Sequence, residues 1–120
     1  MATQLAEVRA TGTDLLDDTA AAIAAAERFL GAAHDAVQRK VVRNGRVDTA
    51  LLDQEQHAAH GLAWLKVYVA SLQAMQDWAL RLREQGRFGE REELIHRFAF
   101  AEYLARRRSS RPGRRPCATG

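Results

Sequence analysis

His57 and His60 stand three residues apart, with Asp53 one turn before them. On a helix, side chains three or four apart share a face, so this spacing is half of a metal site. Glu93 and His96 make one Glu-x-x-His, the unit that carboxylate-bridged di-iron bundles use twice, together with two further inward glutamates. A second such motif is absent, and the apolar stripe of the first predicted helix contains no glutamate. The simpler reading is that these are surface or boundary histidines on charged faces. Nucleophilic chemistry has less to stand on. Cys117 lies in the last four residues, Ser71 falls in the middle of a predicted helix, and Ser109 and Ser110 sit among arginines. No Gly-x-Ser-x-Gly, phosphate-cradling glycine loop or dinucleotide fingerprint occurs. Gly86-x-x-Gly89 has no strand before it and reads as a connector. No residue is assigned as catalytic, cofactor-binding or metal-ligating.

Those side chains would be carried by helices. From Asp48 to Arg83 there is no proline, and Gly61 is the only glycine. Leu51, Leu52, Ala58, Ala59, Leu62, Leu65, Val69, Leu72, Met75, Ala79 and Leu82 recur at helical spacing, which predicts one long central helix capped by Asp48 or Thr49. It holds both tryptophans, Trp64 and Trp78, and also Tyr68. Gly61 inside it, flanked by Ala58, Ala59 and Ala63, predicts close backbone approach to a neighbour. Before it, Leu16, Ile23, Leu30 and Val37 follow at intervals of seven, with Thr19, Ala26 and Ala33 between them. That is a heptad stripe suited to antiparallel helix packing. Thr11, Thr13 and Asp14 offer N-caps for this first helix, and residues 2–10 either extend it or form a short helix of their own. Asn44–Gly45 reads as its C-cap. The central helix should end at Gln85–Gly86, and a third helix should run from about Glu90 to Ala105. Glu90, Glu92 and Glu93 would sit at its positive end, with Leu94, Ile95, Phe98, Ala101, Tyr103 and Leu104 as its apolar contacts.

The chain has 120 residues and a net charge of +3. That charge belongs to the tail: residues 106–115 hold six arginines and no acid, leaving twelve basic against fifteen acidic residues before them. An Arg/Pro/Gly/Ser mixture without apolar period predicts disorder over 106–120. Clustered guanidiniums suit phosphates, but residues 104–120 contain no aromatic residue to stack bases, so nucleic acid is not expected as a partner. No run of eighteen apolar residues predicts a membrane span. The N-terminus lacks the features of a secretory signal, and the single cysteine can form no internal disulfide. A cytoplasmic location follows as the default.

The stretch Gln56–His57–Ala58–Ala59–His60–Gly61–Leu62–Ala63–Trp64, then Tyr68–Val69, Gly86–Arg87–Phe88–Gly89 and Phe100–Ala101–Glu102–Tyr103–Leu104 resembles the helical N-terminal region of bacterial methylsuccinyl-CoA dehydrogenases, flavin enzymes of the acyl-CoA dehydrogenase family. The resemblance covers about residues 45–105. It implies part of an enzyme that oxidises an acyl-CoA thioester to its enoyl-CoA, with a carboxylate base taking the α-proton and FAD accepting hydride. Neither the base nor a flavin-contacting motif of that family matches any residue here. FAD is therefore implied for the full enzyme and no cofactor for this chain, which alone should be inactive. In that family a further helix and the catalytic flavin fold follow the Glu102–Tyr103–Leu104 stretch, so a truncated or frameshifted relative is expected after about residue 105. The expected architecture is all-α: an up-down-up bundle of three principal long helices (residues 1–105) with a disordered basic tail (106–120). The second reading is a stand-alone helical interaction module. In either case the central helix would self-associate or pack on a catalytic domain, because three helices cannot cover all its sides.

Overall fold

The computed structural model describes the backbone of residues 2–109 and the side chains of residues 15–105. The protein is mainly helical. Helix α1 (Ala2–Val41) leads into a two-stranded ribbon of β1 (Val42–Arg43) and β2 (Arg46–Val47), followed by α2 (Thr49–Gln54), α3 (Gln56–Glu84) and α4 (Glu90–Ser109). Cross-helix pairs fix the directions. Leu16 and Thr19 of α1 meet Gln76 of α3, whereas Lys40 meets Glu55 at the start of α3. Gln76 also meets His96, whereas Tyr68 meets Tyr103. Both neighbours of α3 therefore run antiparallel to it, giving the up-down-up order.

The heptad stripe of α1 is its packed face: Leu16, Thr19, Ile23 and Ala26 are buried, and Leu30, Ala33 and Val37 are partly covered. Alternating large and small residues let α3 lie close against it. On α3 the buried positions are Val69, Leu72, Gln76 and Ala79, again at spacings of three and four. The helices converge on Ile23, Leu72 and Phe100, with Met75 and Tyr103 packed against them.

Four local expectations are corrected. Helix α1 starts at Ala2, so Thr11, Thr13 and Asp14 lie within it and do not cap it; the alanine-rich sequence carries the helix through Gly12. Asn44–Gly45 is a hairpin turn and not a simple C-cap. Both residues have positive φ, 52° and 73°, as a two-residue type I′ turn requires, and Val42 pairs with Val47. The central helix is interrupted at Glu55, whose N–H is shared between Leu51 O and Leu52 O and whose carboxylate receives Lys40 Nζ at 3.1 Å. Finally, Gly61 makes no close approach: a Cβ there would meet nothing within 4 Å. Gly61→Ala should therefore stabilise the protein by up to about 1 kcal/mol, read as a melting temperature higher by a few degrees. A lower one would mean that this turn of α3 needs glycine's backbone freedom.

The helix ends follow the sequence. Asp48 caps α2, its Oδ1 accepting from Leu51 N at 3.0 Å. Gly86, with φ 67°, closes α3 through bonds from Gly86 N to Arg83 O and from Arg87 N to Leu82 O, the Schellman arrangement. Glu92 Oε2 reaches back to Gly89 N at 3.1 Å and ties the first turn of α4. That helix continues to Ser109, beyond the expected end near Ala105: arginine is a good helix former, and cations suit a helix C-terminus. Of residues 106–120, where disorder is expected, 106–109 are helical instead and 110–120 lie outside the described residues. Among the described residues no helix is long and apolar enough to cross a membrane.

Candidate functional site

Among the described residues the histidine spacings bring no third metal-ligating group within reach. His60 Nε2 accepts a hydrogen bond from Trp64 Nε1 at 2.7 Å, which occupies a lone pair a metal would need. Asp53, His57 and His60 line an open groove with Leu52, Gln56 and Ala59, but no group of three or more His, Cys, Asp or Glu residues is placed to hold a metal among the described residues. The Glu-x-x-His motif is split. Glu93 points outward to Arg97, with Oε1 accepting at 2.8 and 3.0 Å, while His96 points inward. Ser71 Oγ donates to Val67 O at 2.8 Å along its own helix, and Cys117 and Ser110 lie outside the described residues.

His96 is the largest departure from expectation. Read from sequence as a surface or boundary residue, it is 0% exposed. The packed face of α4 is the one shared by His96, Phe100 and Tyr103. Their spacing of four and three residues is as regular as that of the more apolar set Leu94, Phe98 and Ala101. The polar interior then spans all three long helices. Gln76 Oε1 accepts from Thr19 Oγ1 at 2.7 Å and lies 3.1 Å from His96 Nε2. Gln76 Nε2 donates to Leu16 O at 2.8 Å. Because Gln76 presents an acceptor, the His96 proton sits on Nε2, and Nδ1 is left without a partner. Phe100 stacks on the imidazole with centroids 4.5 Å apart, and Phe88 meets it edge-on at 6.2 Å. Sequence reading missed Gln76 because it is polar; the usable signal was its place in the 69-72-76-79 stripe, opposite a threonine in the heptad stripe of α1.

Burial first, and then the Arg97 charge, push the His96 pKa below its ordinary value. The folded state thus resists protonation of this ring, while the unfolded chain titrates near pH 6.5. The His96 contribution to stability is complete above about pH 6.5 and is lost as pH falls from there through the folded pKa, by up to about 1.4 kcal/mol per pH unit. His96→Phe should remove that component of the acid dependence. Equal slopes in the two proteins between pH 7 and 5 would show that the ring charges without penalty.

Aromatic rings continue along α3: His60 and Trp64 lie 6.0 Å apart, Trp64 and Tyr68 5.9 Å, and Tyr68 and Tyr103 5.5 Å. Of the large aromatics on α3, Trp64 is 49% exposed, whereas Tyr68 and Trp78 are partly buried. The broader apolar surface is on α4, where Leu94, Ile95, Phe98 and Ala101 line a groove with Arg97. These residues were expected to supply packing contacts, yet they face outward because His96 and Phe100 take the inner side. Among the described residues no nucleophile has a base beside it.

No family model matches the chain. Over 99 residues, 82% of the chain, it is 44% identical to (2S)-methylsuccinyl-CoA dehydrogenase of Cereibacter sphaeroides. The matched region is 18% of that relative, so the chain spans less than a fifth of its length. The resemblance read from about residues 45–105 thus extends over most of the chain.

Proposed function

We propose that this chain is the N-terminal helical region of an FAD-dependent acyl-CoA dehydrogenase resembling methylsuccinyl-CoA dehydrogenase. The observation that carries this reading is the 44% identity over 99 residues, 82% of the chain. Neither the α4 groove nor the α2–α3 groove suits a flavin. The first is apolar, and its Arg97 is engaged by Glu93; the second presents His57, His60 and Asp53 without a cation for a pyrophosphate. No redox step is therefore assigned to residues of this chain. Its role in such an enzyme is architectural: α3 would present Trp64 and Val67, 49% and 53% exposed, to the catalytic part. A cytoplasmic location belongs to the same proposal.

A chimaera tests it. Replacing the matching segment of the Cereibacter sphaeroides dehydrogenase with this chain's 99 residues should leave a soluble yellow enzyme that oxidises methylsuccinyl-CoA. A soluble chimaera without flavin or activity would refute the reading. The second reading, a stand-alone interaction module, draws on the bare apolar face of α4; it predicts self-association with no effect of the catalytic part.

A further inference from the structure

The outer face of α4 has a spacing that its inner face does not explain. Leu94, Phe98, Ala101 and Ala105 follow at intervals of four, three and four, the heptad seam of a coiled coil. This seam lies about half a turn away from the buried His96 and Phe100, so α3 cannot be its partner. Phe98 is 74% exposed, Leu94 61% and the flanking Ile95 47%. A helix apolar on two opposite sides is built to be covered on both.

The charge along α4 indicates what covers the second side. Residues 90–93 carry a net charge of −2, and residues 106–108 carry +3. Laid antiparallel on a second α4, each acidic first turn falls beside the other copy's basic last turn, and this happens at both ends. Laid parallel, like charges face one another. The seam itself is complementary in the antiparallel register: with the two-fold axis passing between Ala99 and Phe100, Phe98 falls opposite Ala101 and Leu94 opposite Ala105, large against small. A two-fold contact of this kind uses one patch twice and closes. We propose that the outer face of α4 is a homodimer interface, pairing two copies of this chain antiparallel through Leu94, Phe98, Ala101 and Ala105. This stands on spacing, exposure and charge, independently of any kinship to a dehydrogenase.

The test uses the 120-residue chain. It should sediment as a dimer at micromolar concentration, and the dimer should weaken with added salt as the end charges are screened. Phe98→Glu should raise the dissociation constant at least about tenfold with helicity unchanged, since the side chain is mostly in solvent. Trp64→Glu on α3 should leave the dimer intact. In a Cys117→Ser background, Leu94→Cys mixed with Ala105→Cys should give disulfide-linked dimers on oxidation, whereas Leu94→Cys alone should not. A monomeric parent chain, a dimer lost in Trp64→Glu but kept in Phe98→Glu, or efficient Leu94–Leu94 cross-linking would overturn the proposal. Failure of the chimaera would leave all of these outcomes standing.

Discussion

Gln76→Ala is expected to lower the unfolding free energy by about 3 kcal/mol. Gln76 is 7% exposed, and its amide is the only group that joins all three long helices through hydrogen bonds among those described. Removing it strands the His96 Nε2–H in a ring whose Nδ1 is already without a partner. It also leaves Leu16 O without its cross-helix donor. A buried donor without an acceptor costs about 1–3 kcal/mol, and the vacated volume adds to that. Thr19 loses less, because its hydroxyl also reaches Leu15 O and Leu16 O at 3.0 and 3.2 Å; Thr19→Val should therefore cost only about 1 kcal/mol. Thermal melting followed by circular dichroism gives both values. If Gln76→Ala proved as mild as Thr19→Val, the three helices would be held by their apolar contacts alone.

Phe100→Ala should cost about 3–5 kcal/mol, the range for emptying a buried phenylalanine site. The ring is 4% exposed, belongs to the cluster with Ile23 and Leu72, and covers one face of His96 at 4.5 Å. The substitution therefore opens a cavity beside the imidazole and lets water reach it. Besides the loss of stability, the acid dependence due to His96 should shrink, because a hydrated ring accepts a proton more readily. A large loss of stability with the acid dependence unchanged would mean that Phe100 fills space without keeping the ring dry.

Much of this fold was legible in the sequence. The heptad stripe of α1, the Asp48 cap and the Gly86 terminus each rest on short-range chemistry that a few residues contain. What was hidden depends on partners far along the chain. Gln76 looks like a surface residue until Thr19, 57 positions away, supplies a polar neighbour, and His96 does until Gln76, 20 positions away, supplies one. Helix α4 defeated periodicity for another reason: it has two apolar faces, and hydrophobicity alone does not say which turns inward. At Asn44–Gly45 two readings shared one signal, since positive φ serves both a helix end and a hairpin; the flanking Val42 and Val47 decided it. The groove beside His57 and His60 was foreseeable as a shared helix face. The loss of the His60 lone pair to Trp64 could not be foreseen without knowing both side-chain rotamers.

The protein measures 64 × 51 × 17 Å, and its radius of gyration is 19.9 Å, against about 14 Å for a compact chain of this length. Its buried apolar residues are eight among those described, two of them alanine. Unfolding such a slab uncovers little apolar surface that was not already wet. The heat-capacity increment of unfolding scales with newly hydrated apolar area and reaches about 1.6 kcal/mol/K for an ordinary domain of this length. Here the monomer should fall well below that value. Its stability curve is then shallow, so cooling should neither strengthen the fold much nor bring cold denaturation within reach.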